Sequence, residues 1–153
     1  MTRHEVILDT QLLLLLVVGS TSTSLIRRHK NTDAYTLDDY DLLLGRLSTA
    51  TKIWVTPNIL TECSNLLGQI GEPIRWQLFQ TLRALVQKVD EAYVESRNAT
   101  ERGEFVRLGL ADAASLAAGS PSRTLLTADF ALYDAALRSG RPAENFNHYR
   151  DLQ

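Results

Sequence analysis

Short apolar stretches alternate along the chain with longer segments in which apolar residues recur every three or four positions. The runs at 5–8 and 52–56 are too short for a helix and predict two strands, the first of them central. Residues 123–127 and 145–149 predict two more strands further along. Because strands alternate with helices, we expect an α/β fold, a three-layer α/β/α sandwich with a mostly parallel central sheet.

Helical periodicity marks the segments between these strands. Residues 11–19 are apolar nearly all round, which indicates a helix buried in the core. Gly109 is a candidate break inside one of the later helices, and the polar segment 90–103 shows no clear period. The other predicted helices lie at 38–47, 73–89, 105–118 and 130–137.

A further helix is predicted at 57–67, and its start is sharply marked. Thr56 suits the N-cap position, and Pro57 suits the first helical position. Apolar residues at helical spacing give this segment one side that faces the core. Three polar residues lie together on its other side, namely Asn58, Glu62 and Asn65.

Length and composition indicate a globular protein, and we expect residues 1–153 to form a single domain. Hydrophobic residues make up 44% of the chain and charged residues 22%. The single cysteine, Cys63, excludes an internal disulfide and a cysteine-based zinc site. This cysteine usage fits a reducing compartment, and we expect a cytoplasmic protein. The net charge of −2 excludes nucleic-acid binding by bulk charge alone, so any such contact must be local.

An unbroken apolar run at 12–18 raises the question of a membrane segment. A bilayer needs about 20 apolar residues, so the run is too short to span one. Asp9 lies inside the apolar centre that a cleaved signal peptide would need. We therefore expect a buried strand followed by a buried helix, and no membrane partner.

Four acidic residues stand where the predicted sheet would bring them together. Asp9 and Asp129 follow strands, and Glu62 and Asp112 lie near helix starts. The carboxyl ends of parallel strands meet at one edge of the sheet, so all four would share one cleft. Clustered carboxylates repel one another, and no Lys or Arg accompanies them in the sequence. Oxygen ligands without His or Cys suit Mg²⁺ or Mn²⁺, and such sites are typical of phosphate chemistry.

Four pieces of the chain together resemble a known family. They are Val6-Ile7-Leu8-Asp9-Thr10, Thr56-Pro57-Asn58-Ile59-Leu60-Thr61-Glu62, Gly109-Leu110-Ala111-Asp112-Ala113 and Leu125-Leu126-Thr127-Ala128-Asp129-Phe130. In this order they resemble the PIN-domain nucleases, and within them the ribonuclease toxins of bacterial type II toxin–antitoxin pairs. The resemblance covers residues 5–148 and is weakest at 20–50 and 90–104. One departure is Ala111, where the family often has Ser or Thr.

The resemblance implies a role for each matched residue. Glu62 would be a ligand or would orient the attacking water, and Thr127 and Thr10 would support the site by hydrogen bonds. The implied reaction is metal-dependent hydrolysis of an RNA phosphodiester without a covalent intermediate. The implied partners are an RNA substrate, a cognate antitoxin protein and a second copy of the chain. Three acids would hold Mg²⁺ or Mn²⁺, namely Asp9, Asp112 and Asp129.

Simpler interpretations stand beside these roles. Asp9, Asp112 and Asp129 could each cap a helix, and Glu62 could be an ordinary exposed helix acid. A basic cluster could grip an RNA backbone or form a solvated loop, and it consists of Arg27, Arg28 and Lys30 around His29.

Phe130 and Tyr133 are expected in the core, and Trp54 and Trp76 in the core or an interface. Cys63 is expected to be a buried thiol without a nucleophilic role. Two further function classes stay open: a non-catalytic binding module of the same fold, and a phosphoryl-accepting signalling domain. The second class needs a Lys after a late strand, and none follows residues 123–127.

Overall fold

The computed structural model describes residues 4–152 and contains a five-stranded sheet in the order β3-β2-β1-β4-β5. The named strands all pair in parallel, with Val6 beside Ile53 on one side and Thr124 on the other. The predicted α/β fold with a mostly parallel sheet is therefore confirmed. The strands are β1 (Glu5–Leu8), β2 (Lys52–Val55), β3 (Asp90–Glu91), β4 (Arg123–Thr127) and β5 (Ala143–Asn145).

Helices connect the strands and cover both faces of the sheet. A short 3-10 turn, Thr23–Leu25, follows the first helix. The α-helices are α1 (Thr10–Thr21), α2 (Leu37–Ser48), α3 (Pro57–Leu67), α4 (Ile74–Val86), α5 (Ser96–Thr100), α6 (Phe105–Leu108), α7 (Leu110–Ala117), α8 (Phe130–Arg138) and α9 (Phe146–Arg150).

Alternation along β1 divides the core into two layers. Val6 and Leu8 point into a large cluster with α1 to α4, whereas Ile7 points into a second cluster with α7 and α8. Helix α1 lies inside the larger cluster, and residues 12–18 are almost completely buried. This burial confirms the helix that the apolar pattern predicts there. In the described residues, no helix has the length and apolarity that a membrane crossing requires.

The end of the chain differs from the prediction of a strand at 145–149. The strand occupies Ala143–Asn145, and residues from Phe146 onward form helix α9. Asn145 ends the strand because its side-chain oxygen accepts the N–H of Asn147 at 2.9 Å and so caps the helix. The buried ring of Phe146 then anchors the first turn of α9 in the core.

Two other regions depart from the simple pattern. The unassigned segment 90–103 contains the edge strand β3, whose two residues are both acidic and therefore give no apolar signal. The candidate break at Gly109 is confirmed, because this residue separates α6 from α7 with a φ of 92°. Phe130 is 67% exposed, so its expected core position is wrong. Trp76 is 60% exposed, which excludes the core and leaves an interface as the remaining prediction. Phe130 begins a helix at a strand end, which leaves its ring on the rim of the sheet.

Candidate functional site

Asp9 leaves β1 at the carboxyl edge of the sheet and caps helix α1. Its Oδ1 accepts the N–H of Thr10 at 2.7 Å, and its own N–H donates to the carbonyl of Leu126 on β4 at 3.2 Å. The side chain is buried beneath the cleft surface. The capping interpretation of Asp9 is thus correct, and the same carboxylate also lies in the cleft described below.

Thr127, the last residue of β4, joins Asp9 to Asp129. Its hydroxyl donates to Oδ2 of Asp9 at 2.6 Å. The hydroxyl oxygen of Thr127 also accepts the N–H of Asp129 at 2.9 Å. Asp129 in turn caps α8, because its Oδ1 accepts the N–H groups of Ala131 at 2.8 Å and Leu132 at 3.2 Å. Neighbouring strand ends therefore hold these two acids in a shared hydrogen-bond network.

Helix α3 presents Glu62 to the same cleft. The hydroxyl of Thr56 caps this helix by accepting the N–H of Ile59 at 3.1 Å, as its sequence predicts. Burial of the apolar stripe turns Glu62 outward, and its Oε2 accepts the hydroxyl of Thr10 at 2.9 Å. Cys63 points the other way, and burial raises the pKa of its thiol to about 12. The thiol is therefore neutral, as expected for a packing residue.

Asp112 lies in the first turn of α7, but it does not cap that helix. The N-cap position is Gly109, so the capping interpretation of Asp112 is wrong. None of the described residues donates a hydrogen bond to its carboxyl group, and the neighbouring Ala113 and Ala114 are buried. Burial, together with the negative charges of the other three acids, raises the pKa of Asp112 to about 7. Asp112 is the member of the cluster that most lacks a partner.

The four acids line one cleft of about 370 Å³ between α1, α3, α7 and α8. Within residues 4–152, no Lys, Arg or His side chain lines it. Burial also raises the pKa of Asp9, and the charges of Asp129 and Glu62 add to this effect. The ionised carboxylates of the cleft therefore repel one another, and a bound cation would offset this repulsion. Its lining residues are Asp9, Thr10, Gln11, Glu62, Asn65, Leu66, Asp112 and Asp129.

The donor chemistry of this cleft fits a hard divalent cation. Its charged oxygens are all carboxylates, which Mg²⁺ and Mn²⁺ prefer. Asp112 keeps both oxygens free of described hydrogen bonds, and Asp129 uses only Oδ1 as a cap. In the described part of the chain, no three Asp, Glu, His or Cys side chains stand together as a preformed metal site. An ion held by three of these acids would therefore require them to move closer together.

The basic cluster does not line the cleft, but it lies near one end of it. The ring Nε2 of His29 is 3.2 Å from the carbonyl of Leu67, and the amide of Asn31 donates to the carbonyl of Leu66 at 3.1 Å. These contacts fasten the loop to the end of α3, and Leu66 lines the cleft. RNA contact by the loop stays a prediction. Three of its side chains are exposed, namely Arg27, Arg28 and Lys30.

Sequence reasoning did not assign Gln11 or Leu66 to the site. Asn65 carries a visible signal, because it shares the polar side of α3 with Asn58 and Glu62 at helical spacing. Gln11 carries no such signal beyond its position after Thr10. Polar residues of this kind become recognisable only when the helices are placed against each other.

No protein-family model matches the chain, and no curated protein matches it at a significant level. A solved domain of a functionally unknown protein from Methanocaldococcus jannaschii is 22% identical over 93% of this chain and 90% of its own, with a TM-score of 0.47. VapBC2 from Rickettsia felis, crystallised with a DNA fragment from its promoter, is 14% identical. That match covers 92% of this chain and 98% of the other, with a TM-score of 0.57. The likeness to VapBC2 shows that the chain has a PIN-like fold.

Proposed function

We propose that the protein is a metal-dependent endoribonuclease that hydrolyses RNA phosphodiester bonds, and that it is the toxin of a toxin–antitoxin pair. One observation carries the proposal: four carboxylates converge on one cleft, and no basic side chain of residues 4–152 lines it. A charge cluster of this kind costs stability unless it serves to bind a cation. The similarity in fold to VapBC2, a PIN-domain toxin–antitoxin complex, supports a nuclease toxin.

Three acids would hold Mg²⁺ or Mn²⁺, namely Asp9, Asp112 and Asp129. The ion would supply charge neutralisation at the phosphodiester and a lowered pKa for a bound water. Glu62 would accept a proton from the attacking water, because Thr10 holds its Oε2 and leaves Oε1 free of described hydrogen bonds. Thr127 and Thr10 act as positioning residues, since each holds a carboxylate by its hydroxyl.

The partners follow from the same proposal. The substrate is RNA, and the exposed loop with Arg27, Arg28 and Lys30 near the end of the cleft would attract its phosphates. An antitoxin protein would block the cleft, in keeping with the two-protein nature of VapBC2. Homodimerisation would cover exposed apolar side chains such as Trp76 on α4.

The test is cleavage of total cellular RNA and labelled tRNA by the purified protein, with Mg²⁺, with Mn²⁺ and with a chelator. We expect cleavage that requires the metal and disappears in Asp112→Asn and in the double variant Asp9→Asn/Asp112→Asn. Asp33→Asn is the matched control, because it removes an exposed carboxylate that makes no described hydrogen bond. Thermal melting of each variant shows whether it is folded.

Two outcomes would contradict the proposal. Equal cleavage by wild type and the folded double variant would identify a contaminating nuclease. Metal binding that depends on Asp112, without hydrolysis of any RNA tested, would instead favour a non-catalytic binding module of the same fold.

A further inference from the structure

A second hollow of about 310 Å³ adjoins the acidic cleft. The two share Glu62, and Ala111 of the second hollow precedes Asp112 of the first. A continuous groove therefore runs between α3 and α7, with the acids in one half. The other half is lined by Pro57, Asn58, Thr61, Glu62, Leu110 and Ala111.

Apart from the shared Glu62, the polar side chains of this second half have no described partner. Neither the amide of Asn58 nor the hydroxyl of Thr61 forms a hydrogen bond with any described residue. The two lie three positions apart on α3, so they face the same space. Their donors and acceptors are therefore free for a ligand.

The walls of the hollow are apolar and its polar groups are neutral, apart from the shared Glu62. Pro57 lines it from α3, and Leu110 and Ala111 line it from α7. A Lys or Arg here would pair with the acids and compete with a bound cation, whereas an amide and a hydroxyl do not. Apolar walls with neutral donors and acceptors beside them suit a nucleobase, which has apolar faces and hydrogen-bonding edges.

The first turn of α7 adds a feature that suits the rest of a nucleotide. No side chain caps this helix, because Gly109 stands at the N-cap. Leu110 and Ala111, which carry free N–H groups of the first turn, line the hollow. Uncapped N–H groups at a helix start favour a phosphate oxygen nearby.

We propose that this hollow, the base pocket (Pro57, Asn58, Thr61, Leu110 and Ala111), holds the nucleobase next to the cleaved phosphodiester. Asn58 sets the base preference, because its amide presents a donor and an acceptor side by side to one base edge. Thr61 adds a second hydrogen bond. The inference rests on the proposed ribonuclease function, since it concerns the same groove.

The first test maps cleavage positions in a pool of RNA oligonucleotides of randomised sequence. We expect wild type to prefer certain bases beside the cut, and Asn58→Ala to reduce that preference about tenfold or more. KM should rise while kcat changes little, since the acids are untouched. Thr61→Val should show a smaller effect. Asn98→Ala, an exposed Asn on α5 without described side-chain bonds, is the matched control.

The second test needs no catalysis and separates failure of the base pocket from failure of the nuclease. The side-chain amide resonances of Asn58 and Asn98 are followed by NMR while neutral nucleosides are added to the chelated wild-type protein. We expect the Asn58 resonances alone to shift, and to shift more for the bases that cleavage prefers. Wild-type cleavage with unchanged base preference in Asn58→Ala and no shift would overturn the pocket and leave the nuclease. Shifts at Asn58 without any cleavage would support the pocket and refute the nuclease.

Discussion

The hydroxyl of Thr127 donates a 2.6 Å hydrogen bond to Oδ2 of Asp9, across the ends of two neighbouring strands. The hydroxyl oxygen of Thr127 also accepts the backbone N–H of Asp129, so one buried hydroxyl holds two acids of the cleft. Oδ1 of Asp9 is held separately by the N–H of Thr10. Strand pairing between β1 and β4 thus sets the positions of the acids through a single side chain.

Thr127→Val removes this hydroxyl while keeping the shape of the side chain. We expect a loss of about 1–3 kcal/mol in the free energy of unfolding, because both Asp9 and the N–H of Asp129 lose a buried partner. Thr127→Ser retains the hydroxyl and should lose less. Urea unfolding at neutral pH measures the difference, and equal midpoints for wild type and Thr127→Val would contradict the account.

The raised pKa of Asp112 gives the protein a particular pH dependence in the absence of divalent metal. The folded state keeps a proton on Asp112 up to about pH 7, whereas the unfolded chain loses it near its ordinary value of 3.8. Stability should therefore fall as pH rises between these two values. Asp112→Asn removes this contribution, so its stability relative to wild type should increase between about pH 4 and about pH 7.

Urea midpoints of wild type, Asp112→Asn and Asp33→Asn in a chelating buffer test this expectation. A relative stability of Asp112→Asn that stays constant across the range would show that Asp112 does not titrate there. Asp33→Asn should follow wild type, because its carboxylate is exposed. Some slope should persist in Asp112→Asn, since burial also raises the pKa of Asp9.

Addition of Mg²⁺ or Mn²⁺ should raise the melting temperature of wild type at about pH 8. An ion that binds only the folded state adds about 2.7 kcal/mol of stability at about 100 times its dissociation constant. We expect the increase to shrink strongly in Asp112→Asn and to persist in Asp33→Asn. Identical increases in all three proteins, measured by calorimetry, would place the bound ion outside the cleft.

Two helical glycines, one in α1 and one in α2, should respond in opposite ways to an added methyl group. A Cβ at Gly19 would lie 2.3 Å from the ring of Tyr40, whereas a Cβ at Gly45 would meet no described atom within 4 Å. Gly19→Ala should destabilise the protein by about 1–3 kcal/mol through overpacking. Gly45→Ala should stabilise it by about 0.5–1 kcal/mol, since Ala favours the helix. Chemical unfolding of both variants checks the pair, and destabilisation by Gly45→Ala would contradict it.

The loop that carries the basic cluster should contribute to RNA affinity through charge alone. Combined replacement of Arg27, Arg28 and Lys30 by Ala should weaken RNA binding at low salt and reduce the salt dependence of the binding constant. The fold should persist, because the buried His29 and the half-buried Asn31 still hold the loop. Filter binding across a salt series measures how steeply the binding constant falls with salt concentration. An unchanged salt dependence would show that the cluster does not contact RNA.

The positions of Asp9 and Asp129 at the edge of the sheet could be predicted, because a short apolar run that ends in an acid marks both a strand end and a helix start. The two interpretations of each residue, cap or site, proved compatible, since both acids cap a helix and line the cleft. Glu62 was predictable from the helical period of α3, which places it opposite the apolar stripe. Local pattern is sufficient wherever one element determines the direction of a side chain.

Other features depend on contacts between distant segments and leave no local pattern. Strand β3 consists of Asp90 and Glu91, and only its pairing with β2 makes it a strand. Phe130 is apolar like a core residue, but its position at the strand end exposes it. The base pocket depends on the packing of α3 against α7, and the sequence of neither helix alone shows which residues would line it.

Helices α1 and α7 both contribute residues to the groove, but they differ in how firmly the core holds them. Asp9 begins the most deeply buried helix, and its carbonyl accepts the N–H of Leu13 at 3.0 Å. We therefore expect the amide hydrogens in the middle of α1 to exchange with water at the rate of global unfolding. Helix α7 is shorter, and it packs partly on a small cluster around Ala99 and Ala113 and partly, through Leu116, on the second core cluster. We therefore expect the amide hydrogens of α7 to exchange faster than those of α1, so that a change in the width of the groove involves α7 more than Asp9.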